Sequence, residues 1–135
     1  MANLSQTIQH LYPTSVSLRD WRVENRGNGQ MLAFWSAALG PQPTQAELDA
    51  AVLPATKAQR ITAINTECRA RLLARFGDPA EQVSRSIGVY GLAEKAALEA
   101  GIAATIDASN TASDAVTAAT TIAEVEAVAV TWPAI

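Results

Sequence analysis

The stretch Trp21-Arg22-Val23-Glu24-Asn25-Arg26-Gly27-Asn28-Gly29-Gln30-Met31-Leu32-Ala33-Phe34-Trp35 decides the fold. Two short runs of apolar, β-branched and aromatic residues flank Arg26-Gly27-Asn28-Gly29, with a tryptophan at each outer end. Glycines beside an asparagine supply the positive φ angles that a tight turn between twisted strands requires, so the stretch predicts a β-hairpin. Trp21 and Val23 alternate with Arg22 and Glu24, which gives the first strand one apolar and one charged face. In the returning strand, strict alternation groups Met31, Ala33 and Trp35 on one side and Leu32 and Phe34 on the other. Both sides are apolar, so this strand is expected to be covered on both faces. A two-stranded hairpin is marginal alone in water and needs a third strand or a packed helix.

Upstream, Asn3 or Ser5 can cap a short helix whose Leu4, Ile8, Leu11 and Tyr12 fall on one face, and Pro13 ends it. Residues 14–20 form a connection, with Ser17 or Asp20 placed for local backbone hydrogen bonds. Downstream, Gly40-Pro41-Gln42-Pro43 reads as an extended linker, and Thr44-Gln45-Ala46-Glu47 is a capping box. The helix it opens carries Leu48, Ala51 and Val52 inward and is expected to end at Pro54.

A second, longer helix is expected over residues 56–76, with Ile61, Ile64, Cys68, Leu72 and Phe76 as its apolar stripe. Gly77 suits a left-handed cap, and Asp78-Pro79 starts the next helix as an N-cap and first-turn proline. Gly88 and Gly91 interrupt the pattern around Tyr90, and helix resumes from Leu92 to about Ala108 through Leu98, Ile102 and Ile106. Residues 108–121, dominated by Ala, Ser and Thr, read as a small-residue connector that suits either a loop or close contact with another chain. Thr121-Ile122-Ala123-Glu124 is another capping box, and Val128-Ala129-Val130-Thr131-Trp132 has strand composition up to Pro133. That last run is a candidate third strand for the hairpin, or a strand for another protein's sheet.

These elements define an α+β fold: a small N-terminal β-hairpin, three-stranded if the C-terminal run joins it, with several α-helices. Residues 1–54 hold the first helix, the hairpin and the short capped helix, and residues 55–107 are helical. Residues 108–135 hold the connector and the C-terminal turn and strand, all within one folding unit. Hydrophobic residues make up 49% of the 135, but many are alanine and aromatics are 5%, so the core is thin.

The net charge of −3 argues against general nucleic-acid binding. It is unevenly spread: residues 55–90 carry six basic and three acidic side chains, whereas residues 91–135 carry one and six. Two solvated faces account for this most simply, with complementarity inside the chain or between subunits as the alternative. The arginines at 69, 71 and 75 read as a solvated helix face. Cys68 is the single cysteine, so no disulfide forms within the chain, and its apolar neighbours mark it as a small buried hydrophobe. No signal peptide and no membrane span are expected.

Catalytic patterns are missing. The single histidine, His10, lies among polar neighbours in the first helix and has no nearby candidate ligand. Clustered metal ligands are absent, and Gly27-Asn28-Gly29 lies in a hairpin turn rather than at a strand-to-helix junction. The expectation is a protein that is not an enzyme and needs no cofactor or metal.

One resemblance adds to this reading. Ile8-Gln9-His10-Leu11-Tyr12-Pro13, Asp20-Trp21-Arg22-Val23, Gly27-Asn28-Gly29, Trp35 and Pro43-Thr44-Gln45-Ala46-Glu47-Leu48 occur in the order seen in XkdW-like phage tail proteins. The resemblance covers about residues 8–51, with Arg26 before Gly27 where an acidic residue is common and Trp21 where phenylalanine is more usual. It implies a structural component of a phage or phage-derived tail, near the baseplate or fibres, made in the host cytoplasm and carried in the virion. The alternatives are a tail-fibre assembly chaperone and a host-directed binding module. Expected partners are other tail proteins and further copies of the chain, a trimer among the options, with neither nucleic acid nor membrane. Trp21, Val23, Gly27, Asn28, Gly29, Leu32, Phe34, Trp35 and Trp132 form the candidate docking platform.

Overall fold

Asn3 sits in extended backbone and exchanges hydrogen bonds with Gln6, its side chain accepting the Gln6 N–H while the Gln6 side chain accepts the Asn3 N–H. This reciprocal cap starts helix α1 (Leu4–Leu11), which stops at Tyr12 ahead of Pro13. The computed structural model describes residues 1–87 and 91–134. Two compact units are present, residues 1–59 and 60–135.

In the first unit, strands β1 (Trp21–Asn25) and β2 (Gln30–Trp35) pair antiparallel across a turn in which Gly27 and Gly29 take φ of +86° and +103°. The pairing Trp21 with Trp35 and Arg22 with Phe34 gives way to Val23 with Leu32, so Ala33 is the extra residue of a β-bulge. The bulge overturns the alternation expected for β2. Leu32 and Trp35 both turn to the inner face, where they pack with Leu4, Ile8, Tyr12, Trp21, Val23, Leu39 and Leu48. Met31 and Phe34 are left outside, 46% and 45% exposed, so β2 is covered on one face and not on both.

Helix α2 (Gln45–Phe76) begins in the first unit and continues into the second. Its start is the expected box: Glu47 N–H donates to Thr44 Oγ1 at 3.2 Å, and Thr44 N–H donates to Glu47 Oε2 at 2.7 Å. Pro54 does not end it, contrary to expectation. A proline inside a helix removes one backbone bond and crowds the carbonyl four residues back. Here Ala51, Ala55 and Thr56 beside it are buried, and Thr56 Oγ1 both donates to Val52 O (2.7 Å) and accepts from the Ala2 N–H (2.9 Å). Those tertiary contacts hold the helix through the defect.

In the second unit the expected stripe is present: Ile64, Cys68 and Phe76 are buried, with Ile61 and Leu72 half-buried. Gly77 closes the helix at φ +80°, and Asp78 caps α3 (Pro79–Ser86) by accepting the Glu81 N–H. The interruption expected at Gly88 and Tyr90 lies outside the described residues. Helix α4 (Leu92–Ala118) then extends through most of the expected connector. Thr105, Ser109, Ala112 and Val116 are its buried positions after Leu98, spaced at helical intervals, so the small residues form a contact face. That face lies against α2, where Cys68 Sγ is 3.8 Å from the Thr105 carbonyl and Ser109 Oγ is 3.4 Å from Asn65 Oδ1. The Thr121–Glu124 box opens α5 (Ile122–Ala127), as expected.

The C-terminal run is not a strand: among the described residues the sheet has two strands, β1 and β2. Instead the segment lies along α2. Arg60 Nη2 donates to Val128 O (2.6 Å), Arg71 lies over the Trp132 ring (4.8 Å), and Arg75 Nη1 donates to Ala134 O (2.9 Å). Arg60 to Arg75 spans about 22 Å of helix. Val128 to Ala134 spans about 20 Å of extended chain. The two match, so one row of helix side chains can hold the strap at both ends and in the middle. The arginine face is therefore not simply solvated.

Candidate docking surface

The hairpin presents three different surfaces, and the candidate residues divide among them. Trp21, Val23, Leu32 and Trp35 turn inward. Trp21 is 2% exposed and its indole N–H donates to Ser15 Oγ at 2.9 Å. Trp35 donates to Gly40 O at 3.0 Å and meets Tyr12 edge-on, with ring centroids 4.8 Å apart. These four residues fix the hairpin to α1 and α2. Gly27, Asn28 and Gly29 form the exposed tip. Trp132 belongs to the second unit, where it lines a small pocket with Arg71, Ala74, Arg75 and Pro133.

The outer face combines Phe34 and Met31 with their cross-strand neighbours Arg22 and Glu24. Glu24 accepts from Arg26 at 2.7 Å and lies 3.2 Å from Arg22 Nε, and the Arg26 hydrogen bond holds its carboxyl below the usual range. Met31 is not among the residues that the sequence singles out. The bulge that exposes it has no sequence signal beyond the apolar character of the whole strand.

The third surface is a groove of about 570 Å³ along the outer edge of β2. Leu4 and Thr7 of α1, the linker at Gln42–Thr44, and Gln45, Leu48, Asp49 and Val52 of α2 line its other walls. The two edges of the hairpin differ. On β1, Ser17 bridges Trp21 and the Leu18 N–H donates to Trp21 O at 2.7 Å, so that edge is covered by the preceding connection. Gln30, Met31 and Leu32 of β2 instead border the groove.

The connection covering β1 is built on Asp20. Its carboxylate accepts from Arg19 (2.7 and 2.8 Å) and from the Val16 N–H (2.7 Å). These bonds, the Arg19 guanidinium first, hold its pKa down at about 2. Within this loop Leu18 takes φ +71°, unusual for a residue with a side chain, and is 77% exposed.

Among the described residues no group of His, Cys, Asp and Glu is placed to hold a metal ion, and no helix is long and apolar enough to cross a membrane.

Residues 4–60 match the protein family described as "XkdW protein". Over 46 residues the chain is 41% identical to the phage-like element PBSX protein XkdW of Bacillus subtilis (strain 168). That stretch is 34% of this chain and 41% of the relative, so the similarity spans about two fifths of the relative's length. No solved structure matches. The N-terminal segment is thus XkdW-like.

Proposed function

We propose that this chain, XkdW-like over residues 4–60, is a structural component of a phage or phage-derived tail that works by protein–protein docking near the baseplate or fibres. The observation that carries the reading is coincidence. The XkdW-like segment is the first unit almost residue for residue, and that unit holds the exposed Phe34–Met31 face and the groove beside β2. On this reading the chain is no enzyme and takes no cofactor. Its buried tryptophans set the shape of the hairpin, and its exposed apolar residues meet the partner. Partners are other tail proteins, with further copies of the chain as the natural addition in a symmetric tail.

Mass spectrometry of purified particles tests it. Peptides of this chain at a fixed ratio to a known tail protein are expected. Their absence from particles, together with co-purification with a fibre protein from infected cells, would replace the structural role with that of an assembly chaperone.

A further inference from the structure

Backbone parity decides what the groove offers. In an antiparallel pair, the N–H and C=O of one residue point the same way, and successive residues point to opposite edges. The Trp21 carbonyl accepts from Leu18 and so points away from β2, whereas Ser36 N–H donates inward to Asp20 O at 2.7 Å. Carrying the alternation through the bulged register puts Glu24 and Met31 on the shared ladder. Gln30 and Leu32 then direct their N–H and C=O to the outer edge, along the groove. This is the row of backbone groups that an added strand requires, two residues apart.

We propose that the outer edge of β2 accepts an extended segment of a tail partner as a third strand, seated in the groove between α1 and the start of α2. The inference rests on the docking reading above and names its mode. Leu4, Met31, Leu48 and Val52 offer apolar contacts to alternate side chains of the incoming segment, while Gln42, Thr44 and Gln45 offer polar ones. Asp49, whose Oδ1 accepts from Gln45 Nε2 at 2.7 Å, is the charged residue of the lining, so the segment carries a basic side chain facing it. In the chain's own C-terminal run, the Val128 and Ala134 carbonyls are engaged by Arg60 and Arg75.

The test uses the full chain and an array of overlapping twelve-residue peptides from the tail proteins encoded with it. Binding of at least one basic, alternating peptide is expected, with amide shifts in the labelled protein concentrated at residues 30–35 and 44–49. N-methylation of alternate peptide amides on the edge facing β2 should weaken binding more than tenfold, and Asp49→Asn should weaken it severalfold. Shifts confined to the second unit, or equal binding of the N-methylated peptide, would overturn strand addition. If no peptide binds while an intact tail protein still binds the chain, strand addition fails and docking stands. If no tail protein binds in any form, the docking reading itself fails.

Discussion

At the scale of single residues, the two hairpin tryptophans are unequal although the sequence presents them symmetrically. Trp21 is buried and donates to the buried Ser15 hydroxyl, whereas Trp35 is half-buried and donates to an exposed carbonyl. Trp21→Ala is expected to destabilise the first unit by ~3–5 kcal/mol. Trp35→Ala removes less buried area and should cost ~2 kcal/mol. Urea denaturation of the two variants checks the order, and equal losses would contradict it. Asp20 yields a pH prediction. Its folded pKa of about 2 lies below the ordinary 3.8, so its contribution to stability is complete above pH 4 and is lost as pH falls through 2. Glu24 and Glu47, also held down by hydrogen bonds from Arg26 and Thr44, act in the same direction. The melting temperature of wild type should exceed that of Asp20→Asn at pH 6, and the gap should close as pH falls toward 2.

At the scale of elements, most boundaries were legible because their chemistry is local. The Thr44, Asp78 and Thr121 caps and the Gly27–Gly29 turn each act within a few residues and stand where the sequence placed them, and of the two residues open for the first cap, Asn3 and Ser5, the structure uses Asn3. What was not legible depends on distant partners. Pro54 reads as a stop, and only the burial of Ala51, Ala55 and Thr56 shows why the helix continues. Because Pro54 itself is exposed and missing a backbone bond, Pro54→Ala should stabilise the chain by ~1–3 kcal/mol. An unchanged urea midpoint would mean that the proline is accommodated without strain. The Ala-Ser-Thr tract beyond Ala108 looked like a connector because small residues carry little periodic signal, yet it is a helical contact face. Gly101 belongs to the same logic. A Cβ there would lie 2.7 Å from Cζ of buried Phe76, so the glycine marks where the α4 backbone meets that ring. Alanine ordinarily gains about 1 kcal/mol over glycine inside a helix. Gly101→Ala should nevertheless lose ~1–2 kcal/mol through overpacking. Gly101→Ala combined with Phe76→Leu should lose less than the sum of the separate changes, and thermal melts of the three variants decide it.

At the scale of the whole molecule, the candidate platform divides between two units that hold themselves together differently. Residues 1–59 rely on an aromatic cluster under a bulged hairpin. Residues 60–135 rely on small-residue contact between α2 and α4, with the C-terminal strap laid over α2. Within the second unit Arg60 and Arg75 engage backbone carbonyls, while Arg71 pairs with Glu67 (2.8 Å) along α2 and Arg85 with Glu94 (3.7 Å) joins α3 to α4. Charge counts along a sequence cannot show this, since a guanidinium satisfied by a carbonyl leaves no acidic counterpart to find. The strap is therefore where the sequence reading and the structure diverge most, and it gives the last prediction. Arg60 binds Val128 at one end, Arg75 binds Ala134 at the other, and Trp132 sits under Arg71 between them. Each end is a charge-assisted hydrogen bond of ~1.5–3 kcal/mol when sheltered from water, and less at the exposed Arg75 end. Arg60→Ala should therefore loosen the strap more than Arg75→Ala, although both retain the stacked centre. Native-state hydrogen exchange should show amides of residues 60–76 exchanging faster in Arg60→Ala, with those of residues 21–35 unchanged. Trp132 fluorescence, read in a background where Trp21 and Trp35 are phenylalanine, should shift toward the solvent-exposed wavelength in the same variant. If the Trp132 signal and the α2 exchange rates both stay at wild-type values, the strap is held by the stack alone and the terminal arginines are dispensable.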